Sequence, residues 1–267
     1  MNRRDIAASL GLAVAGVAMA ATPAAAQTAS RSRLAQILER GSVRVGTTGD
    51  FNPMSFRDPG SNEYRGFDIE AMQAMAAELG VKLEWVQTEW ATIVAGVASN
   101  RFDIFSGASV SVARAKTAAF STPYLVAGTV PVATKAAAAK YPTWEALNAA
   151  GVRVAVSMGT VFDEQARRFL PKAEIRAVQS PATGYQEVLS GRAEATLTSN
   201  VEASTLIQRY PNLSLLGPGA ELRARRPFAY VVAQDDPIWL NFINTWVTLK
   251  TSEGFFAALE AKWLPKG

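Results

Sequence analysis

From Val43 onward the chain alternates short strand-like and helix-like segments, in two separate series. Val43-Arg44-Val45-Gly46-Thr47 reads as a strand entering a loop with Gly49 and Pro53. Phe67, Ile69, Met72, Met75, Ala76 and Leu79 recur at helical spacing until Gly80 stops the pattern. Lys82 to Val86 alternates as a strand, Thr92 to Ala98 reads as a helix, and Asp103 to Ser106 as a buried strand. Parallel strands need a crossover between them, so this βαβαβ order predicts a parallel sheet covered by helices. Ala113 to Ala119 also reads as helical.

An Ala/Lys stretch, Lys135 to Lys140, marks a break, and Tyr141-Pro142-Thr143 is a turn with Thr143 placed to cap a helix beginning near Trp144. The second series has strands at Val152 to Val156, Glu174 to Val178 and Ala195 to Thr198. Its helices fall at Phe162 to Phe169, Gly184 to Leu189 and Val201 to Gln208. The two series share a plan without forming a sequence repeat. Phe228 to Gln234 is strand-like again, and Pro237 opens an amphipathic stretch to Trp263, too apolar to stand alone and expected to return to the first unit. The expected fold is α/β and two-lobed, each lobe a mainly parallel sheet flanked by helices. Two strands, near 128–134 and 226–232, cross between the lobes. Lobe 1 takes residues 30–128 plus 228–267, and lobe 2 takes 129–227. Ligand sites favour the cleft between such lobes, which commonly closes on its occupant.

The N-terminus points to export. Arg3 and Arg4 precede an apolar run from Ile6 to Ala21, followed by Pro23 and small residues through Ala26. This is the layout of a signal peptide, residues 1–26, cleaved before Gln27. The run is shorter than the ~20 residues a membrane span needs. The paired arginines leave the Sec and twin-arginine routes both open, and no Cys follows to carry a lipid anchor. Net charge is a modest +4, and the one dense basic run, Arg223, Arg225 and Arg226, reads as a solvated loop beside Pro227. No basic-aromatic stripe accompanies it, so no nucleic-acid partner is expected. The chain has neither Cys nor His. Thiolate nucleophiles, Ser-His-Asp triads and His- or Cys-ligated zinc are thereby excluded, and no cofactor or metal is expected.

Several segments in order carry a family resemblance: Gly46-Thr47-Thr48-Gly49-Asp50-Phe51-Asn52-Pro53-Met54-Ser55-Phe56, Gly66-Phe67-Asp68-Ile69, Phe102-Asp103-Ile104, Ser106-Gly107-Ala108-Ser109, Arg114-Ala115-Lys116, Phe120-Ser121-Thr122-Pro123-Tyr124, Gly159-Thr160 and Lys262-Trp263. From Arg33 to Trp263 the chain resembles the extracellular solute-binding proteins of polar amino-acid uptake. The resemblance implies a monomeric periplasmic protein that delivers a small carboxylate-bearing ligand to an inner-membrane ABC permease. Ser32-Arg33-Leu34, Ile37-Leu38, Gly41 and Thr47-Thr48-Gly49-Asp50 look most like the cyclohexadienyl dehydratases built on the same fold. That resemblance implies an alternative, a lyase acting on prephenate or arogenate.

The site residues follow from the same resemblance. A planar guanidinium at Arg114 suits a bidentate grip on a carboxylate, with Ser106, Gly107 and Ser109 as further donors; Arg114 also reads as an exposed helix-start residue. Gly159, Thr160 and Val161 open a helix, where free N–H groups favour an anion; Thr160 also reads as a plain cap. Phe51 and Trp90 match ring positions that sandwich a ligand, and both read equally as core. Ser199 departs from the family, which carries an Asp there for the ligand's ammonium; an ammonium buried without a counter-charge is costly. Asp50, Asp163 and the neutral Asn200 are the nearest replacements, or the ligand lacks an ammonium. Asp163 also falls where the dehydratases carry an acid, and it reads as a helix-start acid as well.

Overall fold

A computed structural model describes residues 32–217 and 221–264, so the expected signal at 1–26 lies outside the described residues. Helix α1 (Arg33–Arg40) is capped by the Ser32 hydroxyl, which accepts from the Ala35 amide at 3.4 Å, and closed by Gly41 at φ 71°. β1 (Ser42–Thr47) leads into a small antiparallel sheet of β2 (Asp50–Phe51), β3 (Ser55–Arg57) and β4 (Tyr64–Arg65). Then come α2 (Phe67–Glu78), β5 (Lys82–Gln87), a 3-10 turn at Trp90–Thr92, α3 (Ile93–Ala98) and β6 (Ile104–Ser109). β1 pairs parallel with both β5 and β6, as the βαβαβ order requires. The helix expected over Ala113 to Ala119 is only one turn, α4 (Val112–Ala115). Residues 119–120 instead form β7 (Ala119–Phe120), drawn into the sheet by pairing with the late strand residues 231–232.

β8 (Leu125–Thr134) runs for ten residues, and the Ala/Lys stretch beyond it is helical, α5 (Lys135–Lys140), with Thr134 accepting from the Ala137 amide. Thr143 caps α6 (Trp144–Leu147) as expected. The second series is β9 (Arg153–Ser157), α7 (Val161–Phe169), β10 (Glu174–Val178), α8 (Gly184–Leu189), β11 (Ala195–Ser199), α9 (Asn200–Arg209) and β12 (Leu213–Leu215). β9 pairs parallel with β10 and β11. β13 (Arg223–Val232) precedes α10 (Pro237–Ser252) and α11 (Phe255–Trp263); Gly254 at φ 76° breaks the single amphipathic stretch into these two helices.

The large sheet has the order β10-β9-β11-β8-β13-β6-β1-β5, and its two long central strands join two parallel groups. β8 pairs antiparallel with β11 through residues 129–133 and with β13 through 125–129; β13 continues onto β6. Separate cores form on either side. One gathers Val43, Val45, Met72, Phe102, Ile104, Tyr230, Trp239 and Phe256. The other group packs around Val154, Val156, Ala166 and Leu197 on one face and Val132, Val188 and Leu206 on the other. The basic run corrects a sequence expectation: Arg223, Arg225 and Arg226 lie in β13, not a solvated loop. Arg223 stacks over the Trp144 ring at 4.7 Å and pairs with Glu145, and this holds the segment extended.

Two buried acids anchor the first core. The fully buried Asp103 carboxylate accepts from Arg40 at 2.5 Å and Arg44 at 2.7 Å, with Arg33 at 3.8 Å, so it ties α1 and β1 to the start of β6. Removing the carboxylate would leave Arg33 buried without its counter-ion and unpair the partly exposed Arg40 and Arg44, so Asp103→Ala should cost about 3 kcal/mol in chemical denaturation; a loss below 1 kcal/mol would contradict this role. Asp68 accepts from the Tyr124 hydroxyl at 2.7 Å, and burial pushes its carboxyl well above the usual range. Gly107, at φ 153°, leaves room for both, since a Cβ there would fall 2.1 Å from the Tyr124 oxygen and 2.6 Å from Asp68 Oδ2. A folded-state pKa above the unfolded one gives stability that is present at low pH and lost as pH rises through the folded value. Melting curves of wild type and Asp68→Asn should therefore agree most closely below pH 4 and diverge in the mutant's favour as pH rises.

Candidate functional site

The strand ends of both parallel groups face one cavity with about 570 Å³ of empty space, part of it open to solvent. The first group supplies Asp50 and Phe51 from β2, Trp90 from the turn before α3, Ser109 from β6, Arg114 from α4 and Phe228 from β13. The second supplies Ser157, Thr160, Val161 and Phe162 at the β9–α7 junction, Thr183, Gly184 and Tyr185 at the start of α8, and Thr196, Leu197, Thr198, Glu202 and Leu206 from β11 and α9.

The aromatic wall is built by mutual packing. Phe51 stacks on Phe228 with centroids 6.0 Å apart and meets Trp90 edge-on at 5.8 Å. Trp90 Nε1 donates to Asp50 Oδ1 at 2.9 Å, and the Ser180 hydroxyl, from the loop between β10 and α8, donates to Asp50 Oδ2 at 2.8 Å. Two further hydrogen bonds cross the cleft, from Gln179 Nε2 to Glu89 Oε2 at 2.9 Å and from Arg114 Nη2 to the Gly159 carbonyl at 3.0 Å.

Arg114 is half-buried and lies within the single helical turn α4, whose cap Ser111 accepts from the Arg114 amide at 3.3 Å. Its Nη1 donates to the Ser109 carbonyl at 3.1 Å, so both of these bonds go to neutral backbone oxygens. Desolvation of the guanidinium, aided by Arg226 and opposed by Glu164, lowers its pKa to about 10, and it stays charged at neutral pH.

Of the residues expected from sequence, Asp50, Phe51, Trp90, Ser109, Arg114, Thr160 and Val161 meet in the cavity lining. Ser106, Gly107, Gly159, Asp163, Ser199 and Asn200 lie outside it. Ser106 is buried in β6, and Gly107 packs on Asp68 and Tyr124. Gly159 sits against the Ala91 backbone, 2.4 Å from where its Cβ would be. Thr160 turns its hydroxyl to the Ser157 carbonyl at 2.6 Å. Asp163 accepts from Arg167 at 2.9 Å. Ser199 caps α9, and Asn200 accepts from the Gly128 amide in β8 at 2.9 Å.

Glu202 was not among the expected residues. A Ser with Glu three positions on reads in sequence as a capping box, and Ser199 does accept from the Glu202 amide at 3.1 Å. The Glu202 carboxyl, however, accepts from the Thr198 hydroxyl rather than from the Ser199 amide. Burial, with Asp50 adding to it, lifts this carboxyl to about 8.

The family model for bacterial extracellular solute-binding proteins, family 3, matches residues 43–266. The chain belongs to that family. A cyclohexadienyl dehydratase of Pseudomonas aeruginosa is 33% identical over 242 residues, covering 88% of this chain and 87% of that one. An L-cystine-binding protein of Escherichia coli is 28% identical over 253 residues, with 94% and 93% covered. The crystal structure of an ancestral amino acid-binding protein, a precursor of cyclohexadienyl dehydratase, superposes with a TM-score of 0.81 at 36% identity, covering 88% of this chain and 100% of that one. Among the described residues no helix is long and apolar enough to cross a membrane.

Proposed function

We propose that this family 3 protein captures a small carboxylate-bearing ligand in the periplasm for an ABC-type importer. Arg114 carries this reading: a charged guanidinium at the cavity edge, bonded to two backbone carbonyls and in no salt bridge among the described residues. A ligand carboxylate would complete it, with charge-assisted bonds stronger than neutral ones. Phe51, Trp90 and Phe228 would wall the ligand's side chain. The lobes would divide as 30–128 plus 228–267 against 129–227, with β8 and β13 as the hinge and the signal removed after Ala26. Bonds across the cleft, such as Ser180 to Asp50, are of the kind that would hold the lobes shut over a ligand.

Calorimetry tests the clamp. L-Cystine and the standard L-amino acids serve as first probes, and Arg114→Ala should weaken whichever binds by ~2–5 kcal/mol while the fold persists. Near wild-type affinity in that variant would place the carboxylate elsewhere.

A second reading, a dehydratase, draws on the Pseudomonas relative. Its acid would be Asp163, which would first have to leave Arg167 and reach the cavity. Incubation with prephenate and with arogenate, followed by assay for phenylpyruvate and phenylalanine, separates the two. Turnover lost in Asp163→Asn would favour the enzyme; amino-acid binding without turnover supports the carrier.

A further inference from the structure

Glu202 is a cavity carboxyl to which the carboxylate-clamp reading gives no task. It stands in the first turn of α9, 8% exposed, held by the Thr198 hydroxyl, and no salt bridge reaches it among the described residues. The cavity therefore carries a cationic clamp from one lobe, Arg114, and a buried acid from the other. We propose that Glu202 receives the ammonium group of an α-amino acid whose carboxylate is held by Arg114. This rests on the binding-protein reading above and narrows its ligand to zwitterions.

The surroundings define what happens to the proton. Asp50 is the other acid lining the cavity, and it is already engaged by Trp90 and Ser180. Tyr185, at the start of α8, interacts with Glu202, but burial keeps its phenol neutral up to about 12. β8, β11 and β12, which pack on α9, bear no ionisable side chain. Without a cation at hand the carboxyl holds its proton at pH 7, given a value of about 8. An arriving ammonium favours the carboxylate, so binding should release that proton to solvent. Affinity should then rise about tenfold per pH unit up to about 8 and level off above it.

The probes are the standard L-amino acids, L-cystine and the 2-oxo acids matching them, screened by thermal shift and titrated at pH 7 in phosphate and in Tris. The difference in heat between the buffers counts protons. We expect an amino acid to bind tighter than its 2-oxo partner with release of close to one proton. Glu202→Gln, which preserves shape, should abolish the release and weaken the amino acid at least about tenfold while sparing the 2-oxo acid. Amino-acid binding with no proton release in the wild-type protein overturns the assignment to Glu202 and leaves the binding reading intact. Equal or tighter binding of the 2-oxo acid does the same. No binding by either set overturns both.

Discussion

The antiparallel pairing of β8 with β13 is the constraint on which the molecule depends. Each strand is long enough to belong to both parallel groups, β8 reaching β11 and β13 reaching β6. Backbone groups buried at this junction must be paired, and the ladder satisfies them while fixing how the two groups face each other. The cavity residues come from strand ends and helix starts on both sides, so their meeting is a product of that register. Asn200 reinforces the junction by accepting from the Gly128 amide.

Charge is managed differently at Asp103 and in the cleft. At Asp103 three arginines surround one carboxylate, so the buried acid is compensated within the protein. At the cleft the arrangement is incomplete: Arg114 leans on carbonyls and Glu202 on a hydroxyl. Desolvation works against the ionised form of each, lowering the first and raising the second. A buried acid leaning on a hydroxyl also occurs in the core, at Asp68, but only in the cleft can a ligand supply the missing partners.

Much of the fold was legible because period and punctuation agreed. The strand at 174–178 and the helix at 184–189 stand where their patterns put them. The small β2-β3-β4 sheet was not visible, since strands of two or three residues show no period, and β7 exists only by tertiary pairing. In the site, Arg114, Phe51 and Trp90 line the cavity. By themselves they read equally as a helix-start residue and core rings, and only through the family resemblance were they readable. Thr183, Tyr185 and Phe228 were not, because ordinary residues become cavity walls only through the meeting of distant segments. Glu202 was hidden by a local pattern that explains it adequately as a helix start.

Gly159 sets the gauge of the cleft. With no side chain, at φ 77°, it lets the loop before α7 come to rest directly on the Ala91 backbone in the turn before α3. The jaws therefore meet main chain to main chain, with no compressible side chain between them as a cushion. Alongside this contact run the cross-cleft bonds of Asp50, Glu89 and Arg114. Were the cleft to close on a ligand as proposed, this main-chain contact would set the limit of how near the two rims can come.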